Sequence, residues 1–288
     1  MSKPLLVWFN GASVVASEGS SVDHVEPYLL DRASSFGDGV FETLLIKNGS
    51  IVFLERHLHR LSQGLHRLSI PCVRDQLSAD LQLLAPFIDQ GDSFVLKIIV
   101  SRGSSVFGYS SRDSSVNRLL LLQPYQPVAV DNLCLMVCDT RLSTQPLLAG
   151  IKHCNRLEQV LARREVDDSD CHEGLMLDQQ GLIIETTAAN LFIVESNQLI
   201  TPPIIDAGVI GVVREFLIDI LVPKLGFPLR KEPIDLTRIE AADACLLTNS
   251  VQGLRQASTL KLSSGISCQW SQHALLTQLQ QAYQVAIS

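Results

Sequence analysis

The sequence predicts a two-domain protein of mixed helix and strand structure, in the α+β or α/β class. Its first half combines a leucine-faced helix with apolar runs typical of buried strands, among them Phe94–Val100 and Arg118–Leu122. Residues 123–128 contain two prolines, which favour extended backbone and predict a linker. Strands and helices then alternate. We therefore expect a smaller N-terminal domain over residues 1–122 and a larger C-terminal domain over residues 129–288.

The individual elements follow from hydrophobic periodicity. Leucines at every third or fourth position predict a helix with one apolar face: Leu54, Leu58, Leu61, Leu65 and Leu68. In the second half we predict a strand over Leu133–Cys138. A helix is predicted over Asn155–Val166, with its apolar side chains pointing inward: Leu157, Val160 and Leu161. Short apolar runs predict three more strands: Leu182–Ile184, Asn190–Val194 and Cys245–Thr248.

Composition excludes several classes of function. The 288 residues are 46% hydrophobic, enough for a substantial core, and 23 basic against 30 acidic side chains give a formal net charge of −7. Without a basic block, this charge argues against a nucleic-acid partner. We also expect a cytoplasmic protein with no membrane segment, because runs of about eighteen apolar residues and a signal peptide are absent. Seven cysteines and seven histidines lack the spacing of a disulfide framework or a metal site.

Lys152 is the first candidate catalytic residue. An exposed lysine amine, with a pKa of ~10.4, is almost wholly protonated, whereas a nucleophilic lysine must be neutral. Leu147–Ile151 form a small apolar approach that could desolvate the amine and lower its pKa. We interpret Lys152 as an amine that forms a Schiff base with a carbonyl compound. A surface lysine opening the next helix is the alternative.

Glu185 supplies the second half of this interpretation. It follows one predicted strand and precedes another, so it lies where a strand meets a turn. Pyridoxal phosphate accepts electrons only while its ring nitrogen keeps a proton, and an acidic side chain against that nitrogen stabilises the protonated ring. Lys152 and Glu185 together therefore predict pyridoxal 5'-phosphate as cofactor. A solvated residue at a strand end is the alternative for Glu185.

A phosphate group binds well to N–H groups at the start of a helix. Residues 207–217 form a glycine-bearing turn that leads into an apolar helix, and Gly211 lets a phosphate approach the N–H groups of Val212 and Val213. Arg56, in the leucine-faced helix, is the predicted cation. Ser250, after the strand that ends at Thr248, is predicted to add a hydroxyl; a turn serine is the alternative.

Several motifs, in a fixed order, resemble those of the fold-type IV pyridoxal phosphate enzymes, which include branched-chain and D-amino acid aminotransferases and aminodeoxychorismate lyases. The resemblance covers nearly the whole chain and implies the two-domain fold of the D-amino acid aminotransferase type, with the cofactor between the domains and its lysine in the C-terminal one. Its landmarks are Asp31–Thr43, Leu54–Leu61, Ser101–Gly103, Gly150–Gln159, Glu185–Asn190 and Thr201–Pro203.

Within that family, the Lys152 segment Gly-Ile-Lys-His-Cys-Asn-Arg-Leu-Glu-Gln is most similar to that of the aminodeoxychorismate lyases. The resemblance implies cleavage of 4-amino-4-deoxychorismate to 4-aminobenzoate and pyruvate, a step toward folate. We expect Thr43 near the lysine, and Arg102 and Arg112 as candidate contacts for the substrate carboxylates. Family resemblance further implies a homodimer. The alternatives are a branched-chain or D-amino acid aminotransferase and a non-catalytic pyridoxal phosphate-binding protein.

Overall fold

A computed structural model describes residues 5–14, 31–88, 91–104, 108–111, 115–128, 130–262, 265 and 267–287. By its internal contacts, the chain divides into two units. Unit 1 comprises Met1–Pro127 and Ile151–Arg156, and unit 2 comprises Val128–Gly150 and Leu157–Ser288. The first change of unit thus falls inside the predicted linker 123–128, although Gln123 and Pro124 themselves pair with Val95 and Phe94 as the end of a strand.

Unit 1 is built on one antiparallel sheet with strand order β2-β1-β6-β5-β3-β4. The strands are β1 Leu6–Phe9, β2 Ala12–Ser13, β3 Gly39–Lys47, β4 Ser50–Ile51, β5 Ser93–Ser101 and β6 Asn117–Pro124. The helices are α1 Arg32–Phe36, α2 Leu54–Arg67 and α3 Arg74–Gln82, with a 3₁₀ turn at Ala85–Phe87. The predicted strands Phe94–Val100 and Arg118–Leu122 are therefore confirmed as the central parts of β5 and β6.

Helix α2 covers one face of this sheet. Its predicted apolar face is confirmed, because Leu58, Leu61 and Leu65 are buried in the same core cluster as Leu44 and Leu96 of the sheet. At Gly64 the helix packs closely against β3, since an added Cβ would lie 2.9 Å from Val40 Cγ1. Glycine at this position therefore allows close packing of α2 against β3.

The Lys152 segment belongs to unit 1 by its contacts, although we predicted it in the C-terminal domain. The Phe41 N–H donates to the Lys152 carbonyl at 2.9 Å, and the Cys154 N–H donates to the Gly39 carbonyl at 2.8 Å. Residues 151–156 thus extend the sheet beside β3 and leave unit 2 for only six positions. The predicted domains are consecutive stretches of sequence, so they could not assign a short internal segment to the other unit.

Unit 2 contains two five-stranded mixed sheets, with strand orders β12-β11-β10-β13-β14 and β16-β15-β7-β8-β9. Leu135 and Leu175 of one sheet share a core cluster with Leu191 and Leu247 of the other. The strands are β7 Cys134–Val137, β8 Glu173–Leu177, β9 Ile183–Thr186, β10 Asn190–Glu195, β11 Gln198–Thr201, β12 Leu229–Lys231, β13 Ala244–Asn249, β14 Gly253–Ala257, β15 Thr259–Lys261 and β16 Ser267–Gln269.

The helices of unit 2 are α4 Leu157–Asp167, α5 Val212–Phe216, α6 Val222–Leu225, α7 Leu236–Ala241 and α8 Ala274–Ala286. A π-helical turn at Leu217–Leu221 joins α5 to α6 without a break. Pro223 follows this turn, and a proline cannot donate the usual helical hydrogen bond and crowds the preceding turn. The wider π turn accommodates that defect.

Helix α4 presents the opposite face from the predicted one. Leu157, Val160 and Leu161 were expected inward but are 64%, 61% and 48% exposed, whereas Ala162 and Val166 are fully buried. The buried pair packs in a cluster with Cys138 and Met176. Gly174 explains why this side of α4 is buried. A Cβ at Gly174 would lie 2.7 Å from Val166 Cγ2, so the lack of a side chain there lets Val166 approach β8.

Two further features concern the chain as a whole. Cys134 and Cys171 form a disulfide, with Cα atoms 4.8 Å apart, which the scattered cysteines did not predict. In the part of the chain that the structure describes, the helices lack the length and hydrophobicity of a transmembrane span.

Candidate active site

The Lys152 amine lies against an aromatic ring of unit 1. Its Nζ is 4.5 Å from the centroid of the Phe41 ring, and Lys97 Nζ approaches the same ring to 5.3 Å. An aromatic face attracts an ammonium group, so Phe41 orients the predicted catalytic amine. Thr43 lies two residues further along β3 and therefore on the same face as Phe41. Its hydroxyl stays a predicted neighbour of Lys152.

The other face of β3 carries a buried charged cluster formed by Glu42, His57 and Arg60. The Glu42 carboxylate accepts hydrogen bonds from His57 Nδ1 at 2.6 Å and from Arg60 Nε at 2.8 Å and Nη2 at 2.5 Å. His57 and Glu42 are almost inaccessible to solvent, and Arg60 is 9% exposed. Helix α2 thus places a complete ion pair against the strand that carries Phe41.

Protonation in this cluster is set by burial and by the neighbouring charges. Burial would raise the pKa of Glu42, but the charge and hydrogen bonds of Arg60, with the hydrogen bond of His57, lower it to about 2. Burial lowers the pKa of His57, and the charges of Arg60 and Lys152 lower it further against the opposing effect of Glu42. A neutral His57 that donates from Nδ1 leaves Nε2 as a buried acceptor with no hydrogen-bond partner in the part of the chain that the structure describes.

Arg56, the predicted phosphate-binding cation, lies one helical turn before Arg60 and is only half-buried. Arg60, Glu42 and His57 are not among the site residues predicted from the sequence. One signal was present: His57 and Arg60 interrupt the buried leucine face of α2 at a spacing of three residues, which puts both on the side that meets the sheet. Arg56 stays the predicted phosphate-binding cation, whereas the Arg60 guanidinium is bound to Glu42.

In unit 2, the segment Gly208–Ile210 contacts Glu185 and Gly150 and leads into α5. The Val209 N–H donates to Glu185 Oε2 at 2.8 Å, which fixes the carboxylate at the end of β9. On its other edge, the segment brackets Gly150: the Gly150 N–H donates to the Gly208 carbonyl at 2.9 Å, and the Ile210 N–H donates to the Gly150 carbonyl at 3.0 Å. Glu185 and the residue two positions before Lys152 are therefore held by the same stretch of backbone.

The same segment leads directly into α5, the predicted phosphate site. Gly211 is the N-cap and has no side chain to cap the first turn. Val212 and Val213, the first two residues of α5, are buried. The N–H groups of a first helical turn lack partners inside the helix, so this start can receive an anion.

Ser250 lies in the turn that follows β13 and is half-buried. Asn249 organises this turn, because its Oδ1 accepts hydrogen bonds from the Val251 N–H at 3.1 Å and the Gln252 N–H at 2.7 Å. Asn249 Nδ2 also donates to the Ala188 carbonyl at 3.3 Å. The turn with Ser250 is thereby tied to the turn that follows Glu185, a connection that the sequence alone did not indicate.

Arg102, predicted to bind a substrate carboxylate, makes several contacts within unit 1. Its guanidinium donates to Asp38 at 2.8 Å, the Ser69 carbonyl at 3.0 Å and the Leu68 carbonyl at 2.6 Å. Burial opposes the ionisation of Asp38, but Arg102 and Arg32 hold its pKa below the usual value. These contacts tie Arg102, which follows β5, to the residues that follow α1 and α2. Arg112, the other predicted contact, lies outside the described residues.

The chemistry of these groups fits pyridoxal phosphate. Lys152 offers a primary amine for its aldehyde, Glu185 a buried carboxylate for its ring nitrogen, and α5 a helix start for its phosphate. Gly208 adds a structural indication: its φ is +85°, and a Cβ there would lie 3.3 Å from Glu185 Oε2 and 2.6 Å from Ile184 Cγ2. Both backbone conformation and space therefore require glycine beside the carboxylate.

The family model for class IV amino-transferases matches residues 39–260. The chain therefore belongs to the class IV aminotransferase family, and the predicted resemblance is confirmed. An aminodeoxychorismate lyase from Vibrio harveyi is 34% identical over 79% of this chain and 85% of its own length.

Similarity in structure agrees with similarity in sequence. The crystal structure of 4-amino-4-deoxychorismate lyase from Pseudomonas aeruginosa is 35% identical, with a TM-score of 0.81 over 96% of this chain and 97% of its own. The predicted fold class is thereby confirmed. A branched-chain-amino-acid aminotransferase-like protein 2 from Arabidopsis thaliana is 28% identical over 97% of this chain but only 50% of its own length.

Proposed function

We propose that this protein is a pyridoxal phosphate-dependent aminodeoxychorismate lyase, which converts 4-amino-4-deoxychorismate to 4-aminobenzoate and pyruvate. The observation that carries the proposal is Lys152, held beside Phe41 within a Gly-Ile-Lys-His-Cys-Asn-Arg segment of the kind found in these lyases. The identities of 34% and 35% to two proteins named for this activity support it.

The roles of the residues follow from their chemistry. Bound pyridoxal phosphate supplies an electron-accepting ring. Glu185 holds the proton on the ring nitrogen, and the N–H groups of Val212 and Val213 bind the phosphate with help from Ser250 and Arg56.

Lys152 moves the protons of the reaction in this proposal. Its amine takes the proton from the substrate carbon that bears nitrogen, and its ammonium form returns a proton to the departing enolpyruvyl group, which leaves as pyruvate. The substrate ring becomes aromatic in the same step. Thr43 assists the lysine. Arg112 contacts a substrate carboxylate, and Arg102 joins it through the N–H groups that its bonds to Asp38, Ser69 and Leu68 leave over. The enzyme works as a homodimer in the cytoplasm.

The cofactor and its lysine can be tested together. We expect borohydride reduction of the protein with pyridoxal phosphate to attach the cofactor irreversibly to Lys152, as read by peptide mass spectrometry. Lys97 is the matched control, because its amine lies over the same ring. Labelling should persist in Lys97→Ala and vanish in Lys152→Ala; labelling of Lys97 in the wild-type protein would contradict the assignment.

An aminotransferase is the second candidate, supported by the 28% identity to the Arabidopsis relative. Its reaction would use the same cofactor residues but would need an α-keto acid to complete each turnover. A lyase releases pyruvate from 4-amino-4-deoxychorismate without a keto acid. Amino transfer between an amino acid and a keto acid, with no pyruvate from 4-amino-4-deoxychorismate, would favour the aminotransferase; cofactor binding without either reaction would indicate a non-catalytic binder.

A further inference from the structure

Asn190 is a buried polar residue that has no role in the proposed reaction. It begins β10, is 5% exposed, and its Nδ2 donates to the Val209 carbonyl at 2.9 Å. The N–H of the same Val209 donates to Glu185. Glu185 of β9 therefore binds the N–H of Val209, and Asn190 of β10 binds its carbonyl.

The oxygen of the Asn190 amide touches the next part of the same segment. A Cβ built on Gly211 would lie 2.0 Å from Asn190 Oδ1, closer than any real contact allows. Gly211 has φ −71° and ψ 138°, a conformation that any residue adopts. Glycine is therefore required at this position because Asn190 occupies the space, not because of the backbone conformation.

The two ends of the Asn190 amide thus set the path of the backbone from Val209 to Gly211, immediately before Val212 and Val213. We infer that Asn190 is a positioning residue for phosphate: it fixes the entry into α5 and so determines where the first N–H groups of that helix lie. This inference rests on the proposed function, which assigns those N–H groups to the cofactor phosphate. Loss of the Asn190 amide leaves the hydrogen bond from the Val209 N–H to Glu185 in place. We therefore expect the loss of cofactor affinity to arise at the phosphate and not at the ring nitrogen.

Comparison of two ligands tests this inference directly. Pyridoxal phosphate and pyridoxal differ only in the phosphate, and their dissociation constants can be measured by absorbance titration. We expect Asn190→Ala to weaken binding of pyridoxal phosphate about tenfold, the effect of a misplaced set of hydrogen bonds. Binding of pyridoxal should change by less than about twofold.

A matched variant controls for general loss of stability. Ser258→Ala removes another side-chain hydrogen bond to a backbone carbonyl of unit 2, that of Leu133 at 3.1 Å. It should leave the affinity ratio of the two ligands at the wild-type value, even if it lowers the melting temperature of the cofactor-free protein. If Asn190→Ala also keeps that ratio, Asn190 is merely structural and the inference is wrong.

Gly211→Ala provides a second test that does not depend on Asn190→Ala alone. The added methyl group displaces the Asn190 amide, so the single variant should also weaken pyridoxal phosphate binding. In a protein that already carries Asn190→Ala, the same change should cost clearly less, because the colliding oxygen has been removed. Equal losses in both backgrounds would overturn the inference. Wild-type protein that binds no pyridoxal phosphate would instead overturn the proposed function, and this inference with it.

Discussion

At the scale of single residues, Glu42 imposes an electrostatic constraint on unit 1. Its carboxylate is buried and keeps its charge because Arg60 and His57 bind it. The pKa of Glu42 falls from 4.5 to about 2. Its contribution to stability is therefore fully present above pH 4.5 and is lost as the pH falls toward about 2. Removal of Arg60 would leave a buried carboxylate without its cation.

We predict that Arg60→Met lowers the free energy of unfolding by about 3–5 kcal/mol, the usual cost of breaking a buried ion pair. Arg56→Met, on the same helix but only half-buried, should cost less than about 1 kcal/mol. Denaturant unfolding of the cofactor-free proteins at pH 7 measures both. Similar costs for the two variants would contradict the assignment of Arg60 as the buried partner of Glu42.

At the scale of elements, sequence periodicity predicts where helices and strands lie better than which side they bury. The apolar runs of β5, β6, β10 and β13 are long enough to specify buried strands on their own. Helix α4 has two possible apolar sides, and hydrophobicity favours the leucine side. Packing selects the other side, because Val166 fits against Gly174 and Ala162 shares its buried cluster, contacts that only the fold reveals.

Two valines of α4 test this orientation with identical chemistry. Val166 is fully buried and Val160 is 61% exposed. We predict that Val166→Ala destabilises the protein by about 2 kcal/mol, through lost burial and a cavity. Val160→Ala should change stability by no more than about 0.5 kcal/mol. A larger loss from Val160→Ala, measured by chemical denaturation, would mean that the leucine side is the buried one.

At the scale of the whole molecule, each unit carries a different part of the predicted cofactor set. Unit 1 holds Lys152, Thr43 and Arg56, and unit 2 holds Glu185, Val212, Val213 and Ser250. The sequence singles out Glu185, Val212, Val213 and Ser250 because they lie near recognisable strand ends or a helix start, and Lys152, Thr43 and Arg56 because they fall in motifs of the resemblance; their roles stay predictions. The Glu42 cluster and Asn190 could not be assigned a role, because their importance depends on contacts between residues far apart in the chain.

Lys152 is the residue on which the proposed lyase reaction with 4-amino-4-deoxychorismate depends. The most direct measurement follows 4-aminobenzoate and pyruvate together, after purified protein with pyridoxal phosphate is mixed with that substrate and no keto acid is added. We predict equimolar products from the wild-type protein and none from Lys152→Ala. Cofactor-loaded wild-type protein that yields neither product, or Lys152→Ala with undiminished activity, would contradict the claim.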